Sequence, residues 1–245
     1  MSCYGTLAQW YDSLTGDVCY EQFADFYEDE FHRDGGEFHL LLDLCCGTGT
    51  LTAEMCRRGY ELIGVDSSCE MLMEARDKSA ELPVPPLLLC QDAAELDLYG
   101  TVDAAYCSLD GMNYIPFEDL KEVFRRLKLF IRPGGLFIFD IRLPDWLKAL
   151  DGQAFVDEKD DLLCLWRAEF DEDENAIFYG MDIFTKENEL WRRSKEEHIE
   201  YAHSPARLKE ILEKADFTDV KLVSDCPQGN AGRLFITAKR CESDN

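Results

Sequence analysis

Apolar residues in the first 140 positions follow two alternating rhythms: short continuous runs, and stripes that recur every three or four residues. The runs Phe38–Leu44, Leu62–Val65, Leu87–Cys90, Val102–Cys107 and Leu136–Ile141 have the length of buried strands. Between and before them lie helical stripes. Tyr20, Phe23, Phe26, Tyr27 and Phe31 share one helical face, and Asp34-Gly35-Gly36 closes that helix. Leu51–Arg58 reads as a helix, and Ser67-Ser68-Cys69-Glu70 offers a capping box for another through Met71, Leu72 and Ala75. Pro116 opens a helix bearing Leu120, Val123, Phe124, Leu127 and Ile131, after which Pro133-Gly134-Gly135 turns the chain into the fifth strand. Strands alternating with helices predict a mostly parallel sheet covered on both faces, an α/β doubly wound architecture.

The rhythm then changes. Leu162–Phe170, Ala176–Phe184 and Leu190–Tyr201 are separated by the polar turns 171–175 and 185–189, which predicts three consecutive antiparallel strands inserted into the α/β pattern. Ser204-Pro205 caps a last helix carrying Leu208, Ile211, Leu212 and Ala215. Val220–Val223 and Leu234–Ala238 follow as a hairpin around residues 229–232, and only 242–245 reads as a loose tail.

Composition narrows the function. Lys plus Arg number 25 against 50 Asp plus Glu, a formal charge of −25. So acidic a surface repels phosphate backbones, which argues against a nucleic-acid substrate. It suits a small molecule, a cationic ligand or a basic partner, or serves solubility alone. The 11 cysteines include no Cys-x-x-Cys, and the 4 histidines are scattered, so no zinc module is expected. Reduced thiols are expected in a chain with an adequate core. No secretory leader and no run near about 20 apolar residues is present, so the expectation is a cytoplasmic protein without a membrane partner.

The most informative segment joins the first strand to its helix: Asp43-Leu44-Cys45-Cys46-Gly47-Thr48-Gly49-Thr50. A buried strand ending in a small-residue turn before a helix N-terminus is a ready cradle for a nucleotide-like ligand. A dinucleotide fingerprint would place a third glycine at position 52, where this chain has Thr. Acids also end the second and third runs, Asp66 and Asp92, and Ser108 follows the fourth. Each alone is compatible with an ordinary turn. In order on successive strands, they share one rim.

This string resembles motif I of the class I S-adenosylmethionine-dependent methyltransferases, and the resemblance extends over about residues 4–240. It implies a Rossmann-like seven-stranded sheet with an antiparallel last strand. It also implies an N-terminal helical cap (1–36), a cofactor-binding domain (37–150 and 202–245) and the three-stranded insertion (151–201) over an acceptor pocket. The cofactor implied is S-adenosylmethionine. Asp43 and the Gly47/Gly49 loop would face its methionine part, Asp66 would accept from its ribose hydroxyls and Asp92 from its adenine amino group, with Cys45, Cys46, Ser67, Met71, Gln91 and Ala93 as further cofactor-binding candidates. Ser108 would lie beneath the methyl group, and Tyr11 and Tyr20 would close over the amino-acid end.

Two segments are similar to a narrower group of small-molecule methyltransferases. Residues 107–114 resemble that group's motif after the fourth strand, with Gly111 in place of its usual serine. Residues 197–201 resemble its Glu-x-His segment, with Glu200 where an arginine is common. His198 is then the candidate general base, against the plainer reading of a strand histidine paired with Glu197 or solvent. Asp110 and Tyr114 are candidates to orient an acceptor. Asn113 is a further candidate, and Asn113 and Tyr114 equally fit helix-entry and core residues. The expectation is methyl transfer to nitrogen or oxygen of a small-molecule acceptor. The alternatives are a non-catalytic cofactor-binding module and, more distantly, a nicotinamide-dependent oxidoreductase. Acceptor identity and oligomeric state are left open.

Overall fold

A computed structural model describes residues 5, 7–224, 227 and 232–242. The chain opens with α1 (Tyr11–Leu14) and α2 (Tyr20–Asp34), the latter closed by Gly35 in the left-handed conformation. Alternation follows: β1 (Leu40–Leu44), α3 (Thr50–Arg57), β2 (Glu61–Asp66), α4 (Cys69–Ser79), β3 (Leu87–Cys90), β4 (Val102–Cys107), α5 (Leu120–Phe130) and β5 (Ile131–Arg142). After the short α6 (Pro144–Ala149) come β6 (Ala154–Lys159), β7 (Leu162–Asp171), β8 (Ala176–Glu187) and β9 (Leu190–Tyr201). The chain closes with α7 (Pro205–Lys214), β10 (Phe217–Val223) and β11 (Arg233–Arg240).

Seven strands form one sheet in the order β10-β11-β5-β4-β1-β2-β3. β1 to β5 are mutually parallel, and β11 runs antiparallel to both β5 and β10. Strand alternation divides the core into two layers. Ala104 and Tyr106 of β4 pack with Phe23, Tyr27 and Met55 from α2 and α3, while Ala105 and Cys107 pack with Phe124 and Leu127 from α5. Strand order reverses between β1 and β4, which opens a crevice at the carboxyl ends of the strands.

The second sheet, β6-β7-β8-β9, is antiparallel throughout. It contains the three expected strands and a fourth, β6, which the apolar pattern does not announce. Its sequence Ala-Phe-Val-Asp-Glu-Lys is almost wholly exposed at the sheet edge, so no alternation was imposed on it. β5 begins at Ile131 rather than Leu136, carrying Pro133-Gly134-Gly135 through a register irregularity against β4. Pro116 opens a turn, not the helix itself, and α5 starts at Leu120. Most of the turn expected around 229–232, and the tail from 243, lie outside the described residues. Among the described residues no helix is long and apolar enough to cross a membrane.

Candidate active site

The crevice holds a cavity of about 490 Å³. Residues from the ends of β1 to β4 line it, together with Tyr11 of α1 and Tyr20 of α2. Of the residues expected at a cofactor, Tyr11, Tyr20, Asp43, Cys45, Cys46, Gly47, Asp66, Ser67, Met71, Gln91, Asp92, Ala93 and Ser108 all line this cavity. Gly49 does not. Its φ is +68°, and a Cβ there would stand 2.7 Å from the Cβ of Ala75, so its hydrogen lets α4 approach the turn. A Cβ at Gly47 would meet no atom within 4 Å, since that position faces the cavity.

The glycine turn is tied to the next strand through Asp66. One oxygen of this carboxylate accepts the Gly47 N–H at 2.8 Å and the other accepts the Ser68 N–H at 2.8 Å. Burial pushes its pKa up, against the Ser68, Gly47 and Ser67 N–H groups that favour the charged form. Ser68, in turn, caps α4 by accepting the Met71 N–H. Asp43 is buried beside this turn and accepts a 2.6 Å hydrogen bond from the Thr52 hydroxyl. Burial raises its pKa to about 7, against the Thr52 and Tyr106 hydroxyls. Asp92 caps a single 3₁₀ turn, 93–95, by accepting the Ala94 N–H, and the Gln91 side chain is bonded to the backbone of Asp97.

After β4, Leu109 and Asp110 take left-handed φ values of +54° and +58°. Both N–H groups donate to the carboxylate of Asp140, at 2.8 and 3.0 Å, which holds this unfavourable backbone in place. Asp140 is fully buried, and Arg233 pairs with both it and Asp110. Asp110 and Tyr114 line the cavity. The missing serine at 111 has a packing reason, because a Cβ there would lie 2.7 Å from the Cys107 sulfur and 2.9 Å from the Cys45 Cβ. Ser108 hydrogen bonds the Tyr27 hydroxyl at 2.6 Å.

Asn113 and His198 do not line the cavity. Asn113 is buried as a staple: its amide donates to the carbonyl oxygens of Tyr201 and Arg142 and accepts the Arg142 N–H. His198, 2% exposed, lies behind Tyr114, with the two rings edge to face at 6.3 Å. Its Nε2 lies 3.4 Å from Glu196, not Glu197, because residues two apart share a strand face.

Several participants have no counterpart in the sequence reading. Lys78 of α4 pairs with Asp12 of α1 at 2.5 Å, and Asp12 accepts hydrogen bonds from Thr48 and Thr50 of the glycine turn. Burial works against ionised Asp12, but Lys78 and Thr48 hold its pKa below the usual carboxylate range. Lys78 carried no signal in the sequence. Asp140 did: a lone acid within the apolar run 136–141 is a buried charge awaiting a partner.

Among the described residues, the cavity lining includes Asp43, Asp66, Asp92, Asp110 and Asp119 and no Lys, Arg or His. A pyrophosphate would meet only like charge there. A ligand with cationic groups and hydroxyls, such as S-adenosylmethionine, matches this donor and acceptor set.

Residues 41–135 match a family described as a methyltransferase domain. Over 98% of both chains, the sequence is 28% identical to the Bacillus subtilis protein provisionally named methyltransferase YqeM. The structure superposes on an S-adenosylmethionine-dependent methyltransferase from Clostridium acetobutylicum with a TM-score of 0.85 and 29% identity, covering 98% of this chain and 100% of the other. The sugar N-methyltransferase KedS8 from Streptoalloteichus shares the fold at a TM-score of 0.80 and 19% identity, over 95% of this chain and 93% of its own. This chain carries a methyltransferase domain and is an S-adenosylmethionine-dependent methyltransferase.

Proposed function

We propose that this enzyme methylates nitrogen or oxygen of a small-molecule acceptor, bound between the strand ends of the main sheet and the second sheet above them. The observation that carries this reading is the continuity of one cavity, from the acid-bearing ends of β1, β2 and β3 to Asp110 and Tyr114 beyond β4. In this reading residues 37–150 and 202–245 bind the cofactor, 1–36 cap it, and 151–201 roof the acceptor.

S-adenosylmethionine brings a methyl group on a positively charged sulfur, already activated for displacement. The Gly47 backbone, Asp43, Tyr11 and Tyr20 would hold its amino-acid end, Asp66 its ribose hydroxyls, and Gln91, Asp92 and Ala93 its adenine. Asp110 and Tyr114 would orient the acceptor. The protein's main tasks are then alignment and exclusion of water. Holding two reactants in attack geometry reaches effective molarities of about 10⁵–10⁸ M, roughly 7–11 kcal/mol of the barrier. The fixed Leu109–Asp110 backbone supports that alignment, since its geometry is held by Asp140. The resemblance of KedS8, described as a sugar N-methyltransferase, supports a small acceptor, as does the acidic surface that disfavours nucleic acid.

The test is release of S-adenosylhomocysteine from S-adenosylmethionine in the presence of fractionated cell extract. The reading predicts release with the fraction below about 1 kDa. Release only with the protein or RNA fraction would contradict it.

A further inference from the structure

Arg142 ends β5 and Arg233 begins β11, and the register of these antiparallel strands sets the two directly opposite each other. Like charges at opposed positions destabilise a sheet. Arg233 is moreover only 5% exposed, where a guanidinium loses most of its hydration. A local rule broken at such a cost marks a place where function decides the residue.

Two carboxylates compensate. Asp140, two residues before Arg142 and on the same face of β5, is fully buried. Its oxygens accept the Leu109 and Asp110 N–H groups at 2.8 and 3.0 Å, and it pairs with Nη1 of Arg233. The other branch of the guanidinium, Nη2, reaches Oδ1 of Asp110 at 2.5 Å, and Nε of Arg142 lies 3.6 Å from the same oxygen. Burial works against the Arg233 charge, but Asp140 and Asp110 push its pKa up, so it stays cationic.

Of these four residues only Asp110 lines the cavity. It stands on a backbone that local preference does not favour, since Leu109 and Asp110 both carry a Cβ at a left-handed φ. Asp140 holds that backbone and Arg233 holds the side chain, so one planar fork sets where Asp110 stands and which way it faces. Stability alone does not call for such a bracket, because apolar residues of similar volume commonly serve a fold as well as a buried ion pair.

We propose that Arg233 is a positioning residue for methyl transfer: by bridging Asp140 to Asp110, it fixes the Asp110 carboxylate at the acceptor end of the cavity. The proposal rests on the reading that a small acceptor meets Asp110. Arg233 itself is outside the cavity lining and acts through Asp110. A guanidinium with two branches does what a single ammonium cannot, holding two carboxylates at a set distance and angle.

The test is a double-mutant cycle on Arg233→Met and Asp110→Ala, with Arg233→Lys as the conservative variant. The probe is the fraction of cell extract below about 1 kDa. Release of S-adenosylhomocysteine is followed at limiting extract, where the rate reports kcat/KM, and affinity for S-adenosylmethionine is titrated by calorimetry. With Asp110 present, Arg233→Met is expected to lower the rate about 100-fold, the effect of a misplacement of about 1 Å. With Asp110→Ala already made, the same change should cost less than about twofold, because nothing remains to be positioned. Arg233→Lys, which keeps the charge without the fork, should lose about tenfold. Affinity for S-adenosylmethionine should stay within about threefold throughout, a readout that a merely structural role would move.

Equal losses from Arg233→Met with and without Asp110, or no loss at all, would overturn the proposal. So would a loss of cofactor affinity as large as the loss of rate, which would place Arg233 in the cofactor site. If Arg233→Met does not fold, the same cycle run with Arg233→Lys decides the question. Failure of the wild type to release S-adenosylhomocysteine with this fraction would instead overturn the reading of the acceptor end, and the proposal with it.

Discussion

Gly49 and Asp43 lie within one turn of each other, and each makes a distinct physical demand. Replacing Gly49 with Ala puts a methyl group 2.7 Å from the Ala75 Cβ at a φ of +68°. The expected loss is about 1–3 kcal/mol, read from chemical denaturation; an unchanged midpoint would mean that α3 and α4 are spaced otherwise. Asp43 makes stability depend on pH. Its carboxyl titrates at about 7 in the fold, but at about 3.9 in an unfolded chain. The native state therefore holds a proton that the unfolded state has released. The stability this contributes is fully present below about pH 4 and is lost as pH rises through 7. Asp43→Asn should flatten that decline in the cofactor-free protein, and equal slopes for both proteins would remove the effect from Asp43. Residues of this kind were legible where they end a strand, as Asp43, Asp66 and Asp92 do. Asn113 and His198 are polar too, but they are taken up by a backbone staple that ties residues 111–114 to β5 and β9, and by a buried pair within β9.

At the scale of elements, α1 matters beyond its four residues. It is fastened to the glycine turn by Asp12, which Lys78, Thr48 and Thr50 all address. The pair is partly exposed, so each contact is worth at most about 1 kcal/mol. Lys78→Ala should therefore weaken cofactor binding by no more than about fivefold, and speed proteolysis ahead of α2. A much larger loss would show that Lys78 touches the ligand itself. Strands that carry a clear apolar run, β3 and β4, were predicted to the residue. β6 was not, because an exposed edge strand buries neither face and leaves no hydrophobic period behind. The start of α5 was also displaced. Proline pre-sets the backbone for a first helical turn, but equally for the separate turn that Pro116 makes with Asp119.

For the whole molecule, what matters is how a parallel sheet with one cavity at its strand ends is joined to a second, antiparallel sheet. The parallel sheet supplies a rim of carboxylates at successive strand ends, and this rim was readable because order along the chain maps to order along the crevice. The antiparallel sheet supplies Glu200, His198 and Glu196 on one face of β9. Beside the first sheet's strand ends, Arg233 pairs with Asp140 across 93 positions of the chain, and no local pattern records it. The same separation explains why the cofactor was legible and the acceptor was not. In the proposed reading the cofactor meets short loops next to their own strands, whereas the acceptor would meet Asp110 and Tyr114, whose partners come from distant strands.

The account turns on Asp66 holding the cofactor at the end of β2, and calorimetric titration of the wild type and Asp66→Ala tests it most directly. The wild type should bind S-adenosylmethionine and S-adenosylhomocysteine with micromolar affinity and give no heat with NAD or NADP. Asp66→Ala should lose at least about tenfold, as expected for removal of hydrogen bonds to a charged group. Unchanged affinity in the variant, or binding of a nicotinamide dinucleotide by the wild type, would contradict the account.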